Sequence, residues 1–156
     1  MTLLQPDDAM SKTIFILNGP NLNLLGTREP DIYGAETLAD IETASHARAL
    51  ELGIVIEFRQ TNLEGDLVNW IQEARSKADA LILNAGAYTH TSIAILDALR
   101  AFDKPVIEVH LSNIFRREDY RKHSYVSEAA TGIISGFGSH GYMLGIDAAA
   151  KLIARN

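Results

Sequence analysis

The chain has 156 residues, 47% of them hydrophobic and 22% charged, with a formal net charge of -6 and no cysteine. That length and apolar content suit one domain around a single core, and they exclude a disordered chain, which would lack the apolar surface to offset its ordering entropy. The acidic balance argues against nucleic acid as a partner, because phosphate binding needs clustered Lys and Arg. Lack of cysteine excludes disulfides, thiolate nucleophiles and Cys-ligated metals, and it fits a reducing cytoplasm, the expected location.

Residues 1–11 (MTLLQPDDAMS) carry no basic stretch followed by a long apolar core, so they read as a loose tail rather than a signal peptide. Met10, directly before the first apolar run, is a second candidate start for translation. A single domain is expected over 12–156. No apolar run approaches the roughly 20 residues that cross a bilayer, so no membrane partner is expected.

Five short apolar runs follow in chain order: Thr13–Leu17, Ile54–Phe58, Ala80–Leu83, Pro105–Val109 and Gly132–Ile134. They are continuous rather than alternating and rich in Ile and Val, the pattern of strands covered on both faces of a parallel sheet. Between and after them, Thr37–Leu52, Glu64–Lys77, Thr91–Phe102 and Ser139–Ala154 show helical apolar spacing, with Gly53 and the Lys104–Pro105 step marking helix ends. The alternation predicts an α/β fold: a flavodoxin-like, doubly wound, five-stranded parallel sheet with helices on both faces.

Such sheets bind ligands beyond the carboxyl ends of their strands. The residues leaving the strands are Asn18-Gly19-Pro20-Asn21, Arg59-Gln60, Asn84-Ala85-Gly86 and His110-Leu111-Ser112. Amides, an imidazole, a hydroxyl and glycines converging on one rim imply a small polar ligand.

The first exit runs on from Asn21 through Arg28 to Tyr33 and Gly34, a loop of roughly 16 residues, long enough to act as a lid. A guanidinium near a phenol favours the phenolate, which would make Tyr33 a usable base; taken alone, a loop tyrosine is more often a packing residue. His90 falls near a helix amino terminus and can face the rim, although taken alone a histidine there is more often a helix cap or a surface residue. Asp97, on a helix otherwise lined by Ile93, Ile95 and Leu96, reads as a solvated residue or one facing another subunit. Glu108 and His110 lie on the same side of a strand, because side chains alternate with a period of two. A carboxylate beside an imidazole favours the protonated ring and orients it, which suits a general acid, while a structural pair would look the same in sequence. The amides of Leu111 and Ser112 can hold a carboxylate. Arg116, Arg117, Arg121 and His123 form a basic segment that meets either an anion or solvent.

Gly136-Phe-Gly138-Ser-His-Gly141 matches GxGxxG, but a dinucleotide site needs a following strand and an acidic residue about 20 positions on. Here helix alone follows, so the glycines are expected to serve a tight turn and close packing. His46 is expected on the surface. No histidine and carboxylate spacing has the pattern of a metal site.

With these residues assembled, the chain resembles the type II 3-dehydroquinate dehydratases from about Thr13 to the final helix. NGPNLNLLGTREPDIYG at 18–34, NAGAYTHTS at 84–92, EVHLSN at 108–113 and REDYRKHSY at 117–125 carry the resemblance in the family's order. It implies no cofactor and a stepwise anti elimination of water from 3-dehydroquinate through an enolate. Tyr33 matches the base, Arg28 the lid arginine that lowers its pKa, and Asn21 the residue that helps hold a water against the enolate. His110, paired with Glu108, matches the general acid, and Asn84 its neighbour in positioning the leaving hydroxyl. Leu111 and Ser112 match the carboxylate clamp, and His90 and Arg121 the groups that bind ring hydroxyls. Asp97 matches an aspartate delivered into a neighbouring subunit, which implies self-association, usually as a dodecamer of trimers. The chain departs from the family pattern at Ala85, where many relatives have Pro, and at Leu96, where many have Arg. The competing readings are a non-catalytic flavodoxin-like module binding a small carboxylate, and a flavin or nucleotide protein.

Overall fold

The computed structural model describes residues 11–27, 31 and 34–155. Most of the expected tail, and both Arg28 and Tyr33, lie outside the described residues.

Five strands, β1 (Lys12–Asn18), β2 (Ile54–Gln60), β3 (Ala80–Asn84), β4 (Val106–His110) and β5 (Gly132–Ser135), form one sheet in the order β2-β1-β3-β4-β5. Every pairing is parallel. The helices are α1 (Leu38–Glu51), α2 (Glu64–Lys77), α3 (Ile93–Arg100) and α4 (His140–Ile153). This is the expected flavodoxin-like layout, with each element within a few residues of its sequence-based range.

The continuous apolar runs are explained by two cores, one on each face. Phe15, Leu17, Leu81 and Leu83 pack with Leu67 and Ile71 of α2 and Ile95 and Leu99 of α3. Ile14, Ile16, Ile82, Ile107 and Val109 pack with Ile41 of α1 and Tyr142, Ile146 and Ile153 of α4. Odd and even residues of one strand therefore bury in opposite layers, and no position of β3 or β4 is left to solvent. The edge strands are covered less fully: Val55 on β2 and Ile133 on β5 are 49% and 48% exposed.

Local chemistry sets the helix ends. Thr37 and Asp40 close a capping box at the start of α1, the Thr37 amide donating to Asp40 Oδ2 (2.9 Å) and the Asp40 amide to Thr37 Oγ1 (3.2 Å). Gly53, at φ 69°, follows the helix in the left-handed conformation that its missing Cβ permits. Helix α3 starts two residues later than its apolar spacing predicts, because Gly86–His90 forms a 3-10 turn of its own and Ser92 caps α3 by accepting from the Ile95 amide at 2.9 Å. The GxGxxG glycines divide between turn and packing as expected: Gly136 and Gly138 take positive φ (100° and 59°) in the turn before α4, and on α4 a Cβ on Gly141 would sit 3.4 Å from Val109 Cγ1. His46 is exposed, 3.5 Å from Glu42.

Register aligns the exits. Asn18 pairs with both Gln60 and Asn84, Leu83 with Glu108, and His110 with Ser135. The first and third exits touch at Gly19, whose amide donates to Asn84 O at 2.8 Å. A Cβ on Gly19 would fall 2.3 Å from the Ala85 carbonyl oxygen, so only glycine fits that crossing without a shift of backbone.

Candidate active site

A cavity of about 260 Å³ opens at the carboxyl ends of the strands, and its walls include Asn21, Asn84, His90, His110, Leu111, Ser112, Arg117 and Arg121. A larger hollow of about 440 Å³, near the carboxyl ends of α2 and α3, is lined by Gln72, Arg75, Ser76, Ala101, Asp103 and Lys104. Lys104 there donates to the carbonyls of Arg75 (2.9 Å) and Ala78 (2.6 Å). That hollow holds no imidazole and no acid–base pairing, so the chemistry points to the smaller cavity.

Period-two alternation places the Glu108 carboxylate against the His110 ring, with Oε2 hydrogen-bonded to Nε2. Glu108 is 1% exposed, and its two oxygens also accept from Ser124 Oγ (2.8 Å) and Ser127 Oγ (2.5 Å). Burial pushes this carboxyl up, but the hydrogen bonds from His110 and the two serines, with the attraction of the ring, outweigh it and hold the group below the ordinary carboxylate value. An ionised carboxylate only accepts, so His110 Nε2 carries the proton between them, and Nδ1 is the ring nitrogen left to exchange a proton with a ligand.

The His90 ring lies stacked near His110, with centroids 6.5 Å apart. Its Nδ1 is 2.8 Å from the His123 carbonyl oxygen, which can only accept, so the proton sits on Nδ1 and the neutral ring offers Nε2 as an acceptor. Burial lowers its pKa, and the nearby His110 and Arg121 add to that against the opposing carbonyl bond and Glu108. A neutral His90 is thus built to take a hydrogen bond from a hydroxyl.

Asn21 stands at φ 69°, the one non-glycine at positive φ among the described residues, a conformation its short amide side chain tolerates. The Asn62 side chain fixes it there, accepting from the Asn21 amide at 3.0 Å, and Gln60 Nε2 bridges Asn62 Oδ1 (3.2 Å) to the Gly19 carbonyl (3.2 Å). Asn84 is buried to 3% exposure beneath the cavity. Arg121 lines the cavity while pairing with Glu118 at 3.0 Å.

Not every strand-exit or motif residue lines the cavity. Asp97, read as solvated or facing another subunit, is exposed and is not part of this chain's cavity. Arg59, at the β2 exit, turns away to pair with Glu73 at 2.5 Å and to cover Phe15, and it pulls the Glu73 carboxyl down to about 2. Of the basic segment, Arg117 and Arg121 reach the cavity wall and Arg116 is exposed. Sequence reading missed Ser124, Ser127, Asn62 and Tyr142. The serines sit 16 and 19 residues from Glu108, a separation that carries no periodic signal.

A doubly wound sheet with a buried carboxylate–imidazole pair under a polar cavity defines a small-molecule α/β enzyme. Residues 12–150 match the family described as dehydroquinase class II. A 3-dehydroquinate dehydratase of Caulobacter sp. (strain K31) is 58% identical over 147 residues, covering 94% of this chain and all of the relative. One of Phenylobacterium zucineum is 59% identical, covering 92% and 99% of the two chains. The crystal structure of type II dehydroquinase from Propionibacterium acnes superposes with a TM-score of 0.87 at 45% identity, covering 91% of this chain and 98% of that one. The chain belongs to the class II dehydroquinase family and is a hydro-lyase of that type. That membership sets aside the non-catalytic binding module. Among the described residues, no helix is long and apolar enough to cross a membrane.

Proposed function

We propose that the chain removes water from 3-dehydroquinate to give 3-dehydroshikimate by stepwise anti elimination, with Tyr33 as base and His110 as general acid. The dehydratase activity follows from family membership; the assignment of roles is our own reading. The observation that carries it is the Glu108–His110 pair, with the carboxylate held ionised by two serine hydroxyls and one imidazole nitrogen left for a ligand at the cavity.

In this reading the Tyr33 phenolate, favoured by the Arg28 guanidinium, takes the proton alpha to the ketone and leaves an enolate. Asn21 helps hold a water against the enolate oxygen, in a position set by the Asn62 contact. Imidazolium His110 then gives its Nδ1 proton to the C1 hydroxyl, which departs as water as the enolate collapses to the conjugated enone, and Glu108 stabilises the charged ring before transfer. Asn84 positions the leaving group, Leu111 and Ser112 hold the substrate carboxylate, and His90 and Arg121 take the ring hydroxyls. His90 suits that task because its free nitrogen accepts. Asp97, exposed on α3, completes a neighbouring subunit's site in a trimer-based dodecamer.

The test is to mix the protein with 3-dehydroquinate and follow the ultraviolet absorbance of the enone carboxylate. Wild type should give a prompt rise, and Tyr33→Phe should lower kcat by about 10²–10⁴-fold, the span of a positioned base, with KM nearly unchanged. Near-normal turnover in that variant would remove Tyr33 from the role.

A further inference from the structure

We propose that Tyr142 is a positioning residue for this reaction: its buried hydroxyl fixes which face of the Asn84 amide is turned to the cavity. This rests on the role given to Asn84 above and extends it to a side chain that does not itself line the cavity.

Tyr142 lies on the first turn of α4 with no exposed surface, its ring 6.3 Å from that of Phe58. Phenylalanine would fill that volume without the cost of burying a hydroxyl, so the oxygen calls for a reason beyond packing. It has two partners. The hydroxyl donates to Asn18 Oδ1 at 2.6 Å and accepts from Asn84 Nδ2 at 2.9 Å.

The direction of each bond is forced from one end of the chain. Asn18 Nδ2 lies 3.0 Å from the Arg59 carbonyl oxygen, which can only accept, so the Asn18 oxygen must face Tyr142. A phenol has one proton. Giving it to Asn18 leaves the Tyr142 oxygen only able to accept, and Asn84 must therefore present its nitrogen. The Gly86 amide, which only donates, points independently to the same rotamer by lying 3.3 Å from Asn84 Oδ1. A run of one-way bonds thus links β2, β1, α4 and β3 and ends on a side chain of the cavity wall. Burial raises the Tyr142 pKa far above neutral, so the phenol keeps its proton and the direction holds across working pH. Without the hydroxyl, the Asn84 side chain keeps, among the described residues, only the long bond from Gly86, and its amide is free to turn and exchange the nitrogen and oxygen offered to the substrate.

Tyr142→Phe keeps the ring and removes the hydroxyl. Two readouts separate positioning from packing. In steady-state kinetics kcat should fall about tenfold with KM changed much less, and the same substitution in an Asn84→Ala background should change kcat by less than about twofold, since the group it orients is gone. In amide NMR spectra, the Asn84 side-chain signals, assigned by their loss in Asn84→Ala, should shift and exchange faster in Tyr142→Phe. A variant with a lowered melting temperature but wild-type kcat, or an equal loss of kcat in both backgrounds, overturns the proposal, as do unchanged Asn84 signals. If Tyr142→Phe fails to fold, Asn18→Leu removes the acceptor that directs the phenol proton and is read by the same criteria. The spectrum needs no turnover, so a wild-type protein that fails to convert 3-dehydroquinate would sink the mechanism above, while the orientation of Asn84 stands or falls on its own signals.

Discussion

Glu108 concentrates the site's chemistry in one buried carboxylate. Three side chains donate to it, from His110 two residues away and from two serines on the segment that follows β4. Hydrogen bonds to a charged group stabilise by about 1.5–3 kcal/mol each, so together they can offset the cost of an ion at 1% exposure. Glu108→Gln keeps the shape but removes the charge beside the His110 ring, and it sets an amide N–H against at least one donor. We expect kcat to fall by about tenfold to a hundredfold with a smaller change in KM, measured by the same absorbance assay. A variant with wild-type kcat would make the pair a structural one. The Glu108–His110 contact was legible in sequence because strand alternation alone puts i and i+2 together. Ser124 and Ser127 were not, because loop residues carry no period and only the folded path brings them beneath β4. The same holds for Tyr142, which in sequence is one aromatic on an apolar helix face.

At the scale of elements, the two exits that frame the cavity are joined through backbone at Gly19 as well as through the Asn18–Tyr142–Asn84 side chains. The Gly19 amide bonds the Asn84 carbonyl, and its Cα lies so near Ala85 that an added Cβ would be 2.3 Å from a carbonyl oxygen. A backbone atom cannot swing aside as a flexible side chain can. Gly19→Ala should therefore force β1 and β3 apart at their ends, lowering stability by about 1–3 kcal/mol, as overpacking does, and raising KM. Urea melts would check this, and an unchanged midpoint would mean that the exits separate freely. Strands and helices were readable to within a few residues because burial pattern and caps are local: Thr37 with Asp40 and Gly53 bound α1 by their own chemistry. The start of α3 was not, since Gly86–His90 satisfies its turn separately and Ser92 takes the cap.

Over the whole molecule, the site leaves a signature in the pH dependence of stability. His90 has its pKa lowered from 6.5, so as pH falls through 6.5 the unfolded chain takes up this proton before the folded one does. Stability rises with pH wherever the unfolded state binds more protons, so it is lost on acidification from about 6.5 down to the lowered value of His90. Glu108, held below 4.5, acts in the same sense at lower pH: its contribution is complete above 4.5 and is lost as pH falls through its depressed folded value. Urea unfolding between pH 8 and 3 should thus show two declines toward acid, and His90→Gln should remove the upper one. A wild-type profile that stays flat from pH 7 to 5 would contradict the half-buried, neutral state of His90.

The order of apolar runs and helical spacings determined by itself that this is a five-stranded doubly wound sheet, and the polar strand exits marked the rim where the cavity opens. Both follow from local rules, since period and burial are properties of contiguous residues. The quoted motifs also carried the family, because four segments in one order are a property of the chain. Tertiary structure alone decided that Arg59 turns from the rim to Glu73, that Ser124 and Ser127 hold Glu108, and that Tyr142 joins Asn18 to Asn84 across 124 and 58 residues of sequence. Contacts at that separation depend on how strands and helices stack, and no spacing within one element encodes them.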